Sequence, residues 1–358
     1  MIRRYYIAKE AYEGETFPAI ETLASDRIIT NEVLEFKHLP YVCILLDDNE
    51  VEILKSAGFD VKEELISDNA ALAGDYEFYR SLFYYKPHRR KFTGRGVKVA
   101  VLDSGCNQLD TSLPETRRVP FQYAYNFIDS NVNVRDNLGG GFGHGTQVAS
   151  IIVNSTNSGG GNLTFMQGVA PGVELHILKV LSDSGSLNTT AALAALDYCI
   201  DNSIDFINCS WQGGNSVLDE AIYLVQEAGG VVVAASGNST INAATVYPAC
   251  VHKVVAVNSV TEQGTVHHKS WIAPGGGDPP YHGVNVACNG YLSSVRYATG
   301  NFGNSNATGT SYSAPFFTGV LAVYKEQLGI ADNYRVLDYV LSRARKSHPE
   351  FGSGIATF

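Results

Sequence analysis

The sequence predicts an α/β fold, with a doubly wound, mainly parallel sheet covered by helices on both faces. From Gly94 onward, short and almost continuously aliphatic runs alternate with longer segments of helical character. Such runs are typical of strands buried on both faces, and their alternation with helices favours right-handed βαβ units. The chain has 358 residues, 45% of them hydrophobic, which is enough for one large core and a second, smaller domain.

The individual elements follow from apolar runs bounded by polar or glycine-rich segments. The predicted strands of the sheet are residues 97–102, 175–181, 205–209, 231–235 and 254–257, and the predicted helices are residues 145–153, 191–201, 218–228 and 314–327. In open sheets of this type, ligands bind and chemistry occurs at the carboxyl ends of the strands. We therefore expect functional motifs directly after the strands.

Residues 1–70 are predicted to form a separate, small α+β domain of ferredoxin-like type. Its predicted strands are residues 4–8, 33–38, 41–46 and 60–66, and its predicted helices are residues 17–25 and 50–57, the second capped by Asp48. This domain holds 15 acidic and 7 basic residues, so it carries −8 of the formal net charge of −10. Residues 71–92 are predicted to be an exposed linker that a protease could cut, and residues 93–358 form the large domain.

The composition excludes several classes of protein. A nucleic-acid-binding surface needs a basic excess on one face, whereas this chain is acidic. No signal-peptide core follows Arg3 and Arg4, and no apolar run reaches the roughly 18 residues that a membrane span requires. The six cysteines lack metal-binding or paired spacing, which favours a reducing compartment. We therefore expect a cytoplasmic protein without nucleic-acid or membrane partners, although secretion by another route stays open.

Three polar residues occupy the positions where chemistry is expected. Asp103 directly follows the strand at residues 97–102, His144 lies between two glycines at the start of a helix, and Ser311 opens an apolar helix. Each has an ordinary explanation as a turn aspartate, a structural histidine or a helix cap. Together they supply an orienting carboxylate, a base with a pKa near neutrality and a hydroxyl group for that base to deprotonate.

The segments around these residues resemble those of the subtilisin-like (subtilase) serine proteases. The matching segments are Val99-Ala100-Val101-Leu102-Asp103-Ser104-Gly105, Gly143-His144-Gly145-Thr146-Gln147-Val148-Ala149, Gly168-Val169-Ala170-Pro171, Ala235-Ser236-Gly237-Asn238 and Gly309-Thr310-Ser311-Tyr312-Ser313-Ala314-Pro315. They span residues 97–315 in the Asp, His, Ser order of subtilisin. The resemblance implies a serine endopeptidase that acts through an acyl-enzyme. The competing interpretation is a catalytically retired binding protein with the same fold.

The resemblance also implies a role for each catalytic residue. Ser311 would be the nucleophile, His144 the general base and then the general acid, and Asp103 the carboxylate that orients the imidazole. The side-chain amide of Asn238 would donate to the tetrahedral oxyanion beside the backbone N–H of Ser311. The alternative for Asn238 is a turn residue without a part in the chemistry.

Substrate binding is expected along two backbone edges, because relatives of this type hold the peptide extended between them. The substrate-binding residues implied by the resemblance are Ser184, Gly185 and Ser186 on one edge, Ser210, Trp211 and Gln212 on the other, and Ser236 and Val246. Val246 is expected near the floor of the primary pocket. Trp211 is predicted either to wall a hydrophobic subsite or to be an ordinary core or surface tryptophan.

The sequence departs from the family pattern beside two catalytic residues. Gln147 stands where the family often has a second histidine, and Tyr312 replaces the usual small or methionine side chain after the nucleophile. Asn289 replaces a common proline. These changes leave the catalytic groups intact, but they make the substrate preference of relatives less transferable to this chain.

Residues 1–70 resemble the inhibitory propeptide of the family. This implies a zymogen whose own N-terminal domain is an intramolecular inhibitor, with cleavage within about residues 66–78. The alternative is an acidic accessory domain that is never removed. No cofactor is required for the chemistry, and structural calcium stays open: the Asn- and Gly-rich loop at residues 154–162 offers amide and carbonyl oxygens but few carboxylates.

Overall fold

The computed structural model describes residues 3–8, 34–35, 41–46, 48–56, 61–63, 72–73, 92–107, 119–138, 143–153, 168–238, 246–260, 266–268, 285–292, 295–296, 302–303, 307–344, 353 and 356. In chain order its strands are β1 (Arg3–Ala8), β2 (Leu34–Glu35), β3 (Tyr41–Leu46), β4 (Val61–Glu63), β5 (Leu72–Ala73), β6 (Lys98–Asp103), β7 (Tyr123–Asn126), β8 (Glu174–Lys179), β9 (Phe206–Cys209), β10 (Val231–Ala235), β11 (Val255–Val260), β12 (Val266–His268), β13 (Val286–Asn289), β14 (Tyr291–Leu292), β15 (Val295–Arg296), β16 (Phe302–Gly303) and β17 (Ala307–Thr308). Its helices are α1 (Asp48–Ser56), α2 (His144–Val153), α3 (Thr189–Asp201), α4 (Val217–Glu227), α5 (Thr310–Leu328) and α6 (Asn333–Arg343).

The main sheet has eight strands in the order β12-β11-β10-β9-β6-β8-β7, with β13 also paired to β11. All of these pairings are parallel except that of β11 with β12. The predicted α/β fold with a mainly parallel sheet is therefore confirmed. Because every strand in the middle of the sheet runs the same way, the ends of β6, β9 and β10 lie side by side at one edge.

Helices cover both faces of the sheet, and alternate strand residues point to opposite faces. On one face, Val99 and Val101 of β6 pack in a core that includes residues of α2, α5 and α6. On the other face, Ala100 and Leu102 pack in a second core with residues of α3 and α4. This two-sided burial explains why the strands have continuous aliphatic sequences rather than alternating ones.

Helix α5 is deeply buried over most of its length. Its first 14 residues, from Thr310 to Val323, are all buried. It packs against the strands β9, β10, β11 and β13 and against the helices α2 and α6. Gly319 permits this close packing, because a Cβ atom at that position would lie 2.7 Å from the Cβ of Val169. The nucleophile predicted from the sequence is thus anchored at the start of a core helix.

The carboxylate of Glu326 joins the last turn of α5 to the beginning of the large domain. Its Oε2 atom accepts hydrogen bonds from the backbone N–H groups of Thr93 at 2.6 Å, Gly94 at 2.7 Å and Arg95 at 3.1 Å. Three consecutive amides therefore point at one anionic oxygen. This contact fixes the chain immediately after the predicted linker.

The front segment contains a four-stranded sheet in the order β2-β3-β1-β4, and its pairings are antiparallel. Helix α1 buries Val51 and Leu54, which are each 5% exposed. These elements match an α+β unit with one described helix. The helix predicted at residues 17–25 lies outside the described residues.

A short strand from the predicted linker pairs with the chain just before Ser311. In the three-stranded sheet β14-β17-β5, Leu72 of β5 lies opposite Thr308 and Ala73 lies opposite Ala307, in antiparallel register. Helix α5 begins two residues after Thr308. The predicted linker is therefore paired, through β5, to the strand that leads into the predicted nucleophile. Within the described part of the chain, no helix is both long enough and apolar enough to cross a membrane.

Candidate active site

The residues predicted to be catalytic converge at the carboxyl ends of the central strands. Asp103 is the last residue of β6, Ser210 directly follows β9, and Asn238 lies three residues after β10. His144 is the first residue of α2 and Ser311 the second residue of α5. Parallel strand ends thus bring together residues that are far apart in the sequence.

Asp103 and His144 form a buried, hydrogen-bonded pair. His144 Nδ1 lies 2.7 Å from Asp103 Oδ1, and the side chains are 5% and 1% exposed. The same Asp103 oxygen accepts a hydrogen bond from the backbone N–H of Ser104 at 2.7 Å. Burial alone would lower the pKa of His144, but the charge and hydrogen bond of Asp103, with the charge of Asp136, raise that pKa above its usual value. The pair therefore favours the imidazolium form that a general base must reach.

Asp136 is a second buried carboxylate beside this pair. Its Oδ2 accepts from the backbone N–H of Thr146 at 2.8 Å and from the hydroxyl of Thr146 at 2.7 Å, and its Oδ1 accepts from Ser104 Oγ at 2.9 Å. Burial raises the pKa of Asp136, the three hydrogen bonds oppose this rise, and the charge of Asp103 adds to it. Because Ser104 Oγ also accepts from the N–H of Gly145 at 2.9 Å, this network holds the first turn of α2 against the end of β6.

Gly145 allows the first turn of α2 to touch the backbone after Asp103. A Cβ atom at Gly145 would lie 2.4 Å from the carbonyl oxygen of Gly105 and 2.9 Å from its nitrogen. Gly105 has a positive φ of 114°, and its own Cβ would lie 2.2 Å from the carbonyl oxygen of Val134. A side chain at Gly145 would therefore push the helix that carries His144 away from the backbone after Asp103, and a side chain at Gly105 would clash with the backbone of Val134.

Ser311 is fully buried, and its hydroxyl donates to the backbone carbonyl oxygen of Ser210 at 3.0 Å. In return, Ser210 Oγ donates to the carbonyl oxygen of Ser311 at 2.8 Å. His144 Nε2 is buried and has no hydrogen-bond partner within the described residues. The structure thus brings Asp103 and His144 into contact, whereas the hydroxyl of Ser311 is hydrogen-bonded to Ser210 and not to His144.

Asn238 is fixed by its oxygen and unpaired at its nitrogen. Asn238 Oδ1 accepts from the backbone N–H of Thr310 at 2.9 Å and from Thr310 Oγ1 at 3.0 Å. Its Nδ2 is buried and finds no partner in the part of the chain that the structure describes. Gly309 has a φ of 134°, and a Cβ atom there would lie 3.1 Å from that nitrogen. An amide donor is therefore held in place next to Ser311.

The two predicted substrate edges differ in structure. Ser184, Gly185 and Ser186 form the tip of a tight turn in which Gly185 has a φ of 86° and its N–H donates to Ser182 at 2.9 Å. Ser210 lies against Ser311, as described above. Gln212 is half-buried. The edge at Ser210 is thus directly coupled to the nucleophile.

The side chain of Trp211, which was predicted either to wall a hydrophobic subsite or to be an ordinary core or surface tryptophan, lies in the core. Trp211 is 1% exposed and packs in the core formed with α3 and α4. Its indole N–H donates to the carbonyl oxygen of Leu102 at 2.9 Å. This burial favours the core interpretation, and a role of Trp211 in substrate binding stays a prediction.

Ser236 and Val246, the remaining predicted substrate-binding residues, are also buried. Ser236 is fully buried, and its backbone N–H donates to the carbonyl oxygen of Val257 at 3.1 Å. Val246 is 8% exposed and belongs to the same core as Trp211. Their roles in substrate binding stay predictions.

Comparison with known proteins decides the family. A model of the subtilase family, Peptidase S8, matches residues 94–354. The chain belongs to the subtilase family. Relatives that include a subtilisin agree with this assignment.

Two relatives and one solved structure are similar to this subtilase over most of its length, but the chain spans different shares of their lengths. Minor extracellular protease Epr of Bacillus subtilis (strain 168) is 26% identical over 82% of this chain, which spans only 44% of Epr. Subtilisin Savinase of Lederbergia lenta is 31% identical over 75% of this chain and 91% of Savinase. The crystal structure of a cold adapted subtilisin-like serine proteinase matches with a TM-score of 0.59 and 25% identity, covering 81% of this subtilase and 93% of that chain.

Several residues that shape the site of this subtilase were not identified from the sequence. Asp136 lies in a polar loop eight residues before His144, and nothing in its local sequence marks it as buried. Thr310 orients Asn238, and it also accepts from the N–H of Gly237 at 3.1 Å. A signal for Thr310 was available, because it directly precedes the nucleophile. For Asp136, only the three-dimensional contacts reveal the role.

Structural calcium, which the sequence left open, stays a prediction. No group of three or more His, Cys, Asp or Glu side chains that could hold a metal ion occurs among the described residues. The loop at residues 154–162, which was considered for calcium, lies outside them. Asp129, in another polar loop, uses its Oδ2 to accept a hydrogen bond from Asn126 at 2.9 Å.

Proposed function

We propose that this subtilase hydrolyses peptide bonds as a serine endopeptidase, with Asp103, His144 and Ser311 as its triad and Asn238 as an oxyanion donor. The observation that carries the proposal is the buried Asp103–His144 pair, whose outer nitrogen Nε2 is unpartnered in the described structure. An imidazole that donates from Nδ1 to a carboxylate presents a basic Nε2 to a nucleophile. Helix α5, which begins next to Ser311, packs directly on α2, which begins with His144.

The reaction begins when the hydroxyl of Ser311 leaves the carbonyl oxygen of Ser210 and gives its proton to His144 Nε2. Ser311 Oγ then bonds to the scissile carbonyl carbon, and the carbonyl oxygen becomes an anion. Asn238 Nδ2 and the backbone N–H of Ser311, at the positive end of α5, donate to that anion. His144 passes the proton to the leaving amine, an acyl-enzyme remains on Ser311, and water releases the product by the same steps in reverse.

Fluorophosphonate labelling tests this function against the retired-protease alternative. A fluorophosphonate reacts with an activated serine, so we expect the processed protein to be labelled on Ser311 and excess peptide substrate to reduce the labelling. Ser311→Ala is the control and should not react. If the native protein also fails to react and cleaves no protein substrate, the binding-protein alternative is correct.

We further propose that the protein is made as a zymogen inhibited by residues 1–70. The pairing of β5 with β17 supports this, because it connects the linker that follows residues 1–70 to the strand that leads into Ser311. Leu72 and Ala73 of β5 fall within the region of residues 66–78 where cleavage is expected. The N-terminal domain would be an intramolecular partner until that cleavage, and an accessory domain that is never removed is the alternative.

We also propose protein or peptide substrates and a reducing compartment. The family acts on peptide bonds, and backbone edges such as that at Ser210 suit an extended peptide. Within the described residues, Cys199, Cys209, Cys250 and Cys288 are free thiols. Free thiols fit the cytoplasm better than an oxidising environment. Cell fractionation with thiol labelling tests this location.

A further inference from the structure

The two departures from the family pattern beside the catalytic residues contact each other. Tyr312 directly follows Ser311 on α5, and Gln147 lies one helical turn after His144 on α2. The phenol hydroxyl of Tyr312 donates to Gln147 Oε1 at 2.9 Å. Both side chains are buried, at 6% and 7% exposure. The two substitutions therefore form one buried interaction.

The hydrogen bond between Tyr312 and Gln147 lies close to His144. The ring centroid of Tyr312 is 6.0 Å from that of His144, and the two rings are tilted by 53°. Because Ser311 and Tyr312 are adjacent, and His144 and Gln147 share one helical face, a single hydrogen bond connects the helix with the nucleophile to the helix with the base. A shift of either helix would have to break it.

The hydrogen bond also determines where the phenol proton points. A tyrosine hydroxyl beside an imidazole is a potential donor to the basic nitrogen, and such a bond would occupy the base. In this structure the Tyr312 hydroxyl donates its hydrogen bond to Gln147 Oε1 instead. His144 Nε2 has no hydrogen-bond partner in the described structure.

We propose that Gln147 and Tyr312 are a pair of positioning residues for the reaction. The pair fixes the imidazole of His144 relative to the hydroxyl of Ser311, and Gln147 keeps the phenol proton away from Nε2. This proposal rests on the proposed protease function. Neither residue transfers a proton or touches the scissile bond, so the effect should appear in kcat rather than in KM.

The test compares kcat and KM of Tyr312→Phe and Gln147→Leu, which remove the donor and the acceptor while largely keeping the shape. We expect kcat per titrated active site to fall about tenfold in each variant, the factor that corresponds to losing one buried hydrogen bond. KM should stay within about twofold, since the loss concerns the transition state only. Because the pair acts as a unit, the double variant should be no slower than the slower single variant.

Two further variants separate positioning from stability. Gln147→Glu keeps an acceptor oxygen and should retain most of kcat on the high-pH plateau. Tyr334→Phe is the matched control, because its hydroxyl donates to Gly230 at 3.1 Å, at the opposite end of β10 from Asn238. This control should lower the Tm without changing kcat.

Three results would overturn the proposal. These are an unchanged kcat in Tyr312→Phe, additive losses in the double variant, or a kcat of Gln147→Glu as low as that of Gln147→Leu. Active-site titration counts only folded enzyme, so a variant that folds poorly still gives a kcat. If the native protein reacts with the fluorophosphonate and the variants keep full kcat, only the positioning proposal fails. If the native protein does not react, the proposed function fails and the positioning proposal fails with it.

Discussion

Asn238 shows how one side chain can be held rigid by one atom and kept available by another. Its oxygen is occupied by the N–H and hydroxyl of Thr310, so the amide cannot rotate without losing both hydrogen bonds. Its nitrogen is buried without a partner in the described structure, an arrangement that destabilises the resting protein. An unpaired buried donor beside a nucleophile has a use, because the oxyanion of the transition state can satisfy it.

We expect Asn238→Ala to keep the fold and KM and to lose about 10²–10³ in kcat, the magnitude already known for removing such a donor from subtilisin itself. The donor acts on charge that exists only in the transition state, so ground-state binding is spared. Steady-state kinetics on a peptide substrate checks this. Asn202→Ala is the control, since the side-chain amide of Asn202 donates to the carbonyl oxygen of Tyr198 at 2.9 Å and so caps the end of α3. An unchanged kcat in Asn238→Ala would remove the residue from the mechanism.

The pH dependence of activity should reflect both carboxylates near His144. The base works only when neutral, so activity falls as the pH drops through the pKa of His144. Asp103 and Asp136 raise that pKa, which places the acid limb of kcat/KM above the usual histidine value of about 6.5. Because the pKa of His144 is higher in the folded state than in the unfolded state, protonation of His144 stabilises the fold at low pH. This contribution is lost as the pH rises through the folded-state pKa.

Asp136→Asn should move the acid limb of kcat/KM to lower pH, because it removes one of the negative charges that raise the pKa of His144. Asp136 accepts three hydrogen bonds, which is consistent with an ionised carboxylate. The check is a pH–rate profile. Asp332→Asn is the control, since it removes one acidic charge while leaving a side chain that can cap α6. An unmoved or raised limb in Asp136→Asn would contradict this prediction.

At the residue scale, sequence patterns identify groups that are part of contiguous motifs. Asp103, His144, Ser311 and Asn238 were all proposed in this way, and the structure gathers them at one edge of the sheet. The sequence left two interpretations open for Trp211, because position along a motif does not reveal which way a side chain points. Its indole N–H has a partner inside the core, a contact that no local pattern encodes.

At the scale of elements, α5 combines a polar first turn, which carries the proposed nucleophile Ser311, with a largely apolar continuation. Its first turn contains Thr310, Ser311 and Ser313, which are polar and fully buried. The sequence predicted this helix at residues 314–327, whereas it begins at Thr310. Apolar periodicity misses the first turn, because those polar groups are buried through specific hydrogen bonds to Asn238, Ser210 and Cys288.

Glu326→Gln should lower the free energy of unfolding by about 1.5–3 kcal/mol, since three backbone donors lose a charged acceptor. We expect kcat to stay unchanged, because Glu326 lies in the fifth turn of α5 while Ser311 lies in its first. Urea denaturation measures the loss. Gln327→Ala changes the exposed neighbour and should have little effect. Equal stability of Glu326→Gln and the native protein would show that the contact is not stabilising.

Strand β11 also has one part that its own sequence predicts and another part that depends on pairing with a distant segment. Strand β11 was predicted at residues 254–257 but continues to Val260. Its last residues include the polar Asn258 and Ser259, both fully buried. They remain in the strand because β13 pairs with them in parallel register, with Ala287 opposite Asn258 and Cys288 opposite Ser259. Pairing between distant segments cannot be read from the composition of one segment.

At the scale of the whole molecule, the βαβ alternation predicts the parallel direction of the central strands, whereas their order is known only from the structure. The position of the linker strand β5 is likewise known only from the structure, because no rule of local sequence predicts that Leu72 pairs with Thr308. That pairing makes autoprocessing physically reasonable, since it joins the linker to the strand before the nucleophile.

If the protein processes itself, Ser311→Ala should accumulate as one uncut chain, because it has the same fold without a nucleophile. Intact-mass measurement of the purified variant checks this, and the native protein should yield a separate fragment ending within about residues 66–78. Glu326→Gln is a useful companion, since it alters α5 without removing the nucleophile. Trimming of Ser311→Ala at the same place would show that another protease does the processing.

The deep burial of α5 has a consequence for the cell that synthesises this protein. Ribosomes deliver Asp103 first, His144 next and Ser311 only after most of the sheet has been translated, and α5 has to insert between β9, β10, β11, β13 and α2 to acquire its place. A nascent chain therefore lacks a competent nucleophile until its tertiary structure is nearly complete. The position of α5 late in the sequence would thus postpone proteolytic activity during biosynthesis, independently of any inhibitory segment.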